Sequence, residues 1–494
     1  MSDVVVSERV AAVEASERSA VRRVTGARVV YAAAFGWAAA FGALAMLHHA
    51  AFLSARYDLG NMVQAIWSTA HGHLLEVTST GGGEFTRLGA HFDPILALFA
   101  PLWWVWPSPL LLVAVQAAAL ATGAVPVFWL ARKHLLSETV AVWLAVAYLL
   151  YAPIQLLTID DFHPVALGVP LLLFALWYLD EDRLGAFAVF GLLAALTGEE
   201  FPALVGWLGV WYAVRRRRVR TGSSIAVAGF AASAVAFYVL IPAFSRGTGL
   251  FADRYAEYGG SLPGIASALV HRPLDVAGTA FTGSHLIYIL LLTIPWAGLF
   301  LLEPVLAFGA APMLLLNLLS ANQFQSSIGF HYTAPIVPFL VGASILGAAR
   351  LRPAVATHAV LTVLALMTFA LVNSPFRLAG GWVDDFHAPA RAADLAAVRL
   401  IPDGVPVAAS NHLGAQLSDR SRILAFPVLA DAQWAAVDTH DGFLADKYAP
   451  RRFRADVARL RRDPHWKLVF EQDGVLVLRR VRAGGPVSID RPSA

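Results

Sequence analysis

The strongest constraint on the fold of this chain is a succession of long apolar runs separated by short clusters of basic residues. The first run extends from about Val29 to Leu53 and is preceded by Arg18, Arg22, Arg23 and Arg28. A helix needs about 20 predominantly apolar residues to cross a bilayer, and several runs approach or exceed that length. The runs lack the alternation of apolar and polar residues that marks barrel strands, so the sequence predicts helical spans.

Composition supports a membrane protein with many spans. Of the 494 residues, 58% are hydrophobic and 14% are charged, whereas soluble domains carry roughly 25% charged residues. The chain has no cysteine, which excludes disulfides, thiolate zinc sites and a cysteine nucleophile. The net charge of +3 is small, and the basic residues lie in short clusters between the runs. We therefore expect no nucleic-acid partner.

The basic clusters also predict the topology, because cytoplasmic loops are enriched in Lys and Arg. This rule places the N-terminus and the clusters at 132–134, 180–183, 215–218 and 349–352 in the cytoplasm of a multi-pass plasma-membrane protein. Segment 94–106 is too short to span and has a central proline and three tryptophans, so we expect it to lie in the membrane interface. About eleven spans remain: residues 29–53, 109–131, 138–157, 164–180, 184–197, 201–214, 224–243, 284–302, 304–320, 332–349 and 355–373.

Three regions follow from this topology. Residues 1–28 form a cytoplasmic tail, residues 29–373 form the transmembrane domain with an extracytoplasmic loop at 54–108, and residues 374–494 lie outside the cytoplasm. In the last region, short apolar runs alternate with a helix-like stretch at 452–462, and a hairpin is predicted around the turn at 472–474. The predicted fold class is a polytopic α-helical membrane protein with a small C-terminal soluble α/β domain.

The acidic and histidine-bearing loop after the first span is the strongest candidate for chemistry. Asp58 opens the segment Tyr57–His71, whose apolar residues recur at helical spacing, so this segment should lie amphipathically on the membrane surface. Such a helix can hold an aspartate over a cavity without burying it in lipid. The alternative is that Asp58 only caps the helix.

Two further short motifs combine histidine with aspartate. His91 and Asp93 stand two residues apart before Pro94, and Asp161 and His163 show the mirror spacing before Pro164. Together, His91, Asp93, Asp161 and His163 are candidate substrate-binding residues, and they are also candidate ligands for a divalent metal ion. The alternative is that Asp93 and His163 cap helices that begin at the following proline.

Polar residues in other outward-facing segments are candidate substrate contacts. An ionised side chain in mid-bilayer is costly, so Glu199 and Glu200 should face a water-filled cavity or lie in an ordinary interfacial loop. Arg254 lies in the long loop 244–283 beside tyrosines, and its guanidinium fork suits a phosphate group. Four more residues border the same side of a later span: Gln323, Gln325, His331 and Tyr332.

This layout resembles the GT-C superfamily of integral-membrane glycosyltransferases, which share a first span, an acidic residue early in a large extracytoplasmic loop, interfacial helices and many further spans. More closely, it resembles an uncharacterised bacterial family of multi-span proteins that is thought to belong to that superfamily. The closer resemblance covers about residues 30–480 and is carried by five motifs: Tyr57-Asp58-Leu59-Gly60, His91-Phe92-Asp93-Pro94, Asp161-Phe162-His163-Pro164, Gly198-Glu199-Glu200 and His331-Tyr332.

The resemblance implies transfer of a sugar from a polyprenyl-phosphate donor to an extracytoplasmic acceptor. Asp58 matches the catalytic acidic residue of the first loop and would act as general base, and Trp103 matches the interfacial helix. Arg254 or a bound divalent metal ion would stabilise the leaving phosphate. Many members carry paired acidic residues in the first loop, whereas Asp58 is followed by Leu59, which leaves Asp93 as a candidate second carboxylate.

Two other classes of function stay open on the sequence. A transporter or flippase of a lipid-linked or polar substrate would use Glu199 and Glu200 as a coupling-ion site. A non-catalytic assembly or receptor protein would use the C-terminal domain to bind a partner. Polar residues gathered at one membrane face favour the enzyme, whereas charges along a pathway through the midplane would favour transport.

Overall fold

The structure is a computed structural model that describes residues 2–245, 252–370, 375–440 and 450–481. The described chain is mainly helical and contains a two-stranded and a five-stranded sheet. The α-helices are α1 (Ser2–Ala50), α2 (Asn61–Ala70), α3 (Ala100–Val105), α4 (Pro109–Thr122), α5 (Ala124–Leu135), α6 (Glu138–Leu150), α7 (Ala152–Ile159), α8 (Pro164–Asp180), α9 (Leu184–Ala195), α10 (Phe201–Arg215), α11 (Val219–Val235), α12 (Ile241–Ser245), α13 (Leu262–His271), α14 (Pro273–Ala280), α15 (Gly283–Thr293), α16 (Pro304–Ala307), α17 (Ala311–Leu319), α18 (Val337–Ala348), α19 (Pro353–Ala370), α20 (Pro375–His387), α21 (Pro389–Leu400), α22 (Asn411–Gln416) and α23 (Pro450–Arg462).

Shorter helical turns and the strands complete the chain. The π-helical turns are Arg56–Gly60 and Ala236–Leu240, and the 3₁₀ turns are Arg87–Gly89, Pro94–Phe99, Ala252–Tyr258, Ile294–Trp296, Leu299–Leu302, Phe308–Ala310 and His331–Thr333. The strands are β1 (Glu76–Thr78), β2 (Glu84–Thr86), β3 (Val407–Ala409), β4 (Ile423–Ala425), β5 (Trp434–Asp438), β6 (Trp466–Gln472) and β7 (Val475–Arg480).

The predicted count of about eleven spans is not confirmed. By length and composition, 3 of the described helices can cross a membrane: Thr25–Ala50, Pro109–Leu135 and Val219–Ser245. Two bent pairs raise the number to 5 if each pair is one span: Glu138–Leu150 with Ala152–Ile159, and Pro273–Ala280 with Gly283–Trp296. Most of the other predicted segments contain shorter apolar helices, because prolines begin new helices and polar turns end them.

The polar turns nevertheless gather at two opposite ends of the helices. At one end, Lys133 and His134 contact Asp180, and Arg215 forms a salt bridge with Glu303. These contacts join turns that the charge rule assigned to one side. From Asp180, α8 leads back to the other end at residue 163, and α9 and α10 run to and from the turn at 198–200. Even these shorter helices therefore connect the two polar ends.

The C-terminal region contains the predicted α/β pattern. Its sheet has the order β4-β3-β5-β7-β6, in which β3 is parallel to β4 and β5, and β7 is antiparallel to β5 and β6. Strands β6 and β7 confirm the predicted hairpin, and α23 confirms the predicted helix. Helix α23 packs on one face of the sheet, and α21 and α22 pack on the other. The N-terminal segment is also helical, since α1 continues without a break from Ser2 into the first apolar run.

Candidate active site

Asp58 lies in a single π-helical turn, Arg56–Gly60, that links the end of α1 to α2. Such turns are uncommon and are frequent at functional sites. Leu59 and Arg56 are buried and hold the turn, while the Asp58 side chain remains 45% exposed. The Asp58 carboxylate therefore has room for a reacting group, and its Oδ1 lies 3.4 Å from Nε2 of His163.

His163 is fixed by the loop that precedes α8. Pro164 occupies the first turn of that helix, so His163 takes an extended conformation. The imidazole Nδ1–H donates to the carbonyl oxygen of Asp160 at 2.9 Å, which leaves Nε2 facing Asp58. The buried side-chain amide of Gln116 accepts a hydrogen bond from the backbone N–H of His163 and donates one to the carbonyl oxygen of Asp161. These two hydrogen bonds fix the loop that carries His163.

His331 completes this cluster from a distant part of the chain. Its backbone N–H donates to Oδ2 of Asp160 at 2.7 Å, and its ring stacks on that of His163 with centroids 3.7 Å apart. The ring of Tyr332 lies beside it at 4.1 Å. Asp58, Asp160, His163 and His331 therefore form one cluster, here called the Asp58 cluster.

The charges within the Asp58 cluster are coupled. Burial lowers the pKa of His163, but its hydrogen bond to Asp58 and the charge of Asp160 outweigh burial and raise that pKa to about 9. Burial raises the pKa of Asp58, but the His163 hydrogen bond and charge bring it below its ordinary value. Burial and the positive charge of His163 lower the pKa of His331. Near neutral pH, Asp58 is thus a carboxylate beside an imidazolium, and His331 is neutral.

The two adjacent aspartates of the 160–163 loop titrate near neutrality. Burial, reinforced by the negative charge of Asp58, raises the pKa of both Asp160 and Asp161 to about 7. Asp161 contacts the residue just before the Asp58 turn, since its Oδ2 accepts the backbone N–H of Ala55 at 2.7 Å. Asp161 therefore fixes the approach to the Asp58 turn.

Three side chains of the Asp58 cluster could hold a metal ion. Asp160, His163 and His331 each offer one ligand atom, and these atoms lie within 4.8 Å of one another. Two imidazoles and a carboxylate suit Zn²⁺ and related cations. Of the predicted ligands His91, Asp93, Asp161 and His163, only His163 belongs to this group. Ligation would require His163 to release its second proton, so a metal ion competes with the Asp58–His163 ion pair.

Asp93 is held in a buried ion pair. Arg87 donates to its Oδ2 through Nε at 2.8 Å and approaches the same oxygen through Nη2 at 2.7 Å. Arg87 also donates to the side-chain oxygen of Asn61 in α2. This pair ties α2 to the start of the interfacial segment, which forms the short helices Pro94–Phe99 and Ala100–Val105. Trp103 is buried in that packing.

His91 joins the first loop to the acidic pair between α9 and α10. Its Nδ1 lies 3.1 Å from Oε1 of Glu199, whose Oε2 accepts the backbone N–H of Phe92 at 3.0 Å. The charge of His91 offsets the effect of burial and lowers the pKa of Glu199. Burial and the charge of Glu199 raise the pKa of Glu200. The pair therefore has one ionised and one protonated carboxyl group.

Arg254 lies next to the Asp58 cluster, beside Tyr332. Its guanidinium lies 5.7 Å from the ring centroid of Tyr332, and its charge contributes to the lowered pKa of His331. Its Nη1 donates to the buried Gln325 at 3.4 Å. Of the two glutamines predicted as contacts from this segment, Gln325 is buried beside Arg254, whereas Gln323 is exposed.

Some residues of the site lie outside the predicted set. Asp160 directly precedes Asp161, and this doubled carboxylate in a mostly apolar stretch was a usable signal. The predicted second carboxylate, Asp93, pairs with Arg87, whereas Asp160 and Asp161 are the carboxyl groups whose pKa values respond to Asp58. Nothing in the local sequence of Arg87 indicates this ion pair.

Comparison with known proteins agrees with this architecture. Residues 48–477 match a family described as "Predicted membrane protein (DUF2079)". No curated protein matches the chain. The structure of ArnT from Cupriavidus metallidurans bound to undecaprenyl phosphate superposes with a TM-score of 0.50 and 15% identity, over 91% of this chain and 99% of that chain. ArnT in the apo state gives 0.50 and 14%, over 90% and 98%. ArnT is a GT-C glycosyltransferase, so the predicted resemblance is confirmed at the level of the fold.

Proposed function

The chain belongs to the family described as "Predicted membrane protein (DUF2079)", and we propose that it is a glycosyltransferase that moves a sugar from a polyprenyl-phosphate donor to an extracytoplasmic acceptor. The observation that carries the proposal is the Asp58 cluster: a half-exposed carboxylate, ionised beside His163, with the guanidinium of Arg254 next to the cluster at Tyr332. The fold that it shares with ArnT, which binds undecaprenyl phosphate, supports this choice of donor.

Asp58 would act as general base. Its carboxylate takes the proton of the acceptor hydroxyl while that oxygen forms a bond to the anomeric carbon. The bond between the anomeric carbon and the phosphate oxygen breaks, and polyprenyl phosphate leaves with the bonding electron pair. A single base on the face opposite the leaving group gives inversion at the anomeric carbon. His163 would orient Asp58 and keep it ionised before reaction.

Positive charge would stabilise the leaving phosphate. The guanidinium of Arg254 can bind two phosphate oxygens with its parallel N–H groups. Where a divalent ion is bound, Asp160, His163 and His331 would hold it, and it would supply Lewis-acid stabilisation of phosphate charge. Asp58 would then be oriented by the turn that carries it.

The enzyme would work at the outer face of the plasma membrane. Nucleotide sugars are cytoplasmic, so an outward-facing site needs a lipid-linked donor, whose tail lies among the membrane lipids. This arrangement has residues 1–28 in the cytoplasm, residues 29–373 as the transmembrane domain and residues 374–494 outside. The arginines that gather near Asp180 and Glu303 would mark the cytoplasmic end.

A lipid flippase or transporter is the second candidate. The observation that favours it is the adjacent pair of the buried Glu199 and the half-buried Glu200, whose opposite pKa shifts suit a site that exchanges a proton. Against it, Glu199 is held by His91 and by the backbone of the first loop, at the same polar end as Asp58.

The test compares the wild type with Asp58→Asn, purified in detergent. Each is supplied with a panel of polyprenyl-phosphate sugars and membrane lipid extract as acceptor, and the release of polyprenyl phosphate is measured. The proposal predicts release by the wild type and none by Asp58→Asn. Binding of the lipid-linked donor without release by either protein would favour the transporter. Equal release by both would keep the enzyme and remove Asp58 as its base.

A further inference from the structure

The C-terminal sheet lies directly against the turn that carries Asp58. Helix α22 packs on this turn, and the buried Arg56 extends beneath it. Arg56 is 2% exposed, and its Nη2 donates to the carbonyl oxygens of Ile423 in β4, at 2.6 Å, and of Thr78 in β1, at 3.0 Å. One guanidinium thus joins the first loop, the Asp58 turn and the sheet.

The first amides of the Asp58 turn receive their hydrogen-bond acceptors from other parts of the chain. The first N–H groups of a helix have no partner within it, and here Ala55, at the cap position, makes no side-chain hydrogen bond to them. The N–H of Arg56 donates to Oδ1 of Asn411 at 3.0 Å, across 355 positions of sequence. The N–H of Ala55 donates to Asp161. Asn411, the first residue of α22, thus serves as a cap for this turn.

Glycines on both sides permit this close approach. A Cβ at Gly60, the last residue of the turn, would lie 2.6 Å from Oγ of Ser418 and 3.2 Å from Cα of Ala415. A Cβ at Gly414 would lie 3.0–3.2 Å from the aliphatic carbons of Arg56. Larger side chains at either position would push α22 away from the turn.

We infer that the C-terminal unit is a positioning element of the active site, in which Asn411 fixes the turn that aims Asp58. This inference rests on the proposed function only in giving Asp58 a catalytic role. The contact between Asn411 and Arg56 can be tested without it. A C-terminal module that only captures acceptor would have no need to cap a turn beside the reacting carboxylate. Asn411 is thus a positioning residue, which acts through the backbone of Arg56.

The experiment uses the full-length protein and three variants at α22. Asn411→Ala removes the acceptor, whereas Asn411→Asp retains an oxygen at the same place. Gln416→Ala is the matched control, because Gln416 lies on the same helix and donates to the carbonyl oxygen of His49 in α1, away from the Asp58 turn. Hydrogen–deuterium exchange of the peptide containing residues 56–60 reports the contact, and turnover with the polyprenyl-phosphate sugar panel reports its consequence.

We expect Asn411→Ala to speed exchange in residues 56–60 by about three- to tenfold, the range of a single lost hydrogen bond. It should lower kcat with little change in KM for the donor, because the donor-binding groups are untouched. Asn411→Asp should restore both, and Gln416→Ala should change neither. Equal effects of Asn411→Ala and Gln416→Ala would show that α22 only packs against the first loop without fixing the Asp58 turn, and would overturn the inference. Unchanged hydrogen–deuterium exchange of residues 56–60 in Asn411→Ala would also overturn it.

The two hypotheses fail separately. If neither the wild type nor Asp58→Asn releases polyprenyl phosphate, the proposed function fails, while the exchange pattern still decides whether Asn411 fixes the turn. If the wild type turns over and Asn411→Ala exchanges faster with kcat unchanged, the contact exists but does not position Asp58, and the inference fails alone.

Discussion

The ion pair between Arg87 and Asp93 allows a quantitative test of how the first loop is held. The two side chains are 8% and 3% exposed, and both contacts involve one carboxylate oxygen, Oδ2 of Asp93. Removing one partner of a buried ion pair costs about 3–5 kcal/mol, because it leaves an uncompensated charge. Replacing both partners with apolar residues of similar volume is often neutral. Arg87→Met should therefore lower the free energy of unfolding by about 3–5 kcal/mol at pH 7, and the double variant Arg87→Met/Asp93→Leu should recover most of that loss.

The stability loss in Arg87→Met should become smaller as the pH is lowered. Burial raises the pKa of Asp93 even beside Arg87. Without Arg87 the pKa rises further, so lowering the pH protonates Asp93 in the folded protein and relieves the penalty. Equilibrium unfolding in mixed detergent micelles at pH 7 and pH 5 measures both effects. Arg461→Met, which breaks the exposed pair with Glu471, is the control and should cost less than about 1 kcal/mol. A double variant as unstable as Arg87→Met, or a loss independent of pH, would refute the reasoning.

Three further predictions concern the Asp58 turn and its cluster. The pKa of His163 is raised to about 9, so the stability that this group contributes is complete below its ordinary pKa of 6.5 and is lost as the pH rises through 9. The thermal unfolding midpoint should therefore fall between pH 6.5 and pH 9 by less in His163→Gln than in the wild type. Zn²⁺ should bind the wild type in calorimetric titration and raise its unfolding midpoint, whereas His331→Ala should show neither effect if the assigned ligands are correct. Gly60→Ala should cost about 1–3 kcal/mol of unfolding free energy, and adding Ser418→Gly should recover part of it; full stability of Gly60→Ala would contradict the close approach.

Much of the fold follows from local sequence. Hydropathy identified the apolar segments, and the charge rule grouped turns that the structure brings together, such as those of Lys133, Asp180 and Arg215. Turn residues and alternation identified the hairpin of β6 and β7. The number of spans could not be predicted in the same way, because mean hydropathy over a window does not detect the prolines and polar turns that divide the apolar segments into shorter helices.

The candidate site was harder to predict from the sequence than the fold, because its geometry depends on contacts between distant segments. Asp58 and His163 could be selected as unusual polar residues in an apolar chain, but the stacking of His163 on His331 depends on the tertiary fold. Asp93 and Arg87 lie only 6 positions apart, but Arg87 is also held by Asn61 in α2, 26 positions away, and this second contact depends on the tertiary fold. The cap from Asn411 spans 355 positions, and no local pattern predicts it.

Sugar transfer and its dependence on Asp58 are tested most directly by following both products of one reaction. Wild type, Asp58→Asn and Asp385→Asn, an exposed carboxylate in α20 that serves as control, are incubated with a doubly labelled polyprenyl-phosphate sugar and lipid acceptor. We predict that the wild type and Asp385→Asn release one polyprenyl phosphate for each sugar transferred, and that Asp58→Asn neither releases polyprenyl phosphate nor transfers sugar above background. Sugar transfer by Asp58→Asn at the wild-type rate would contradict the role of Asp58 as general base.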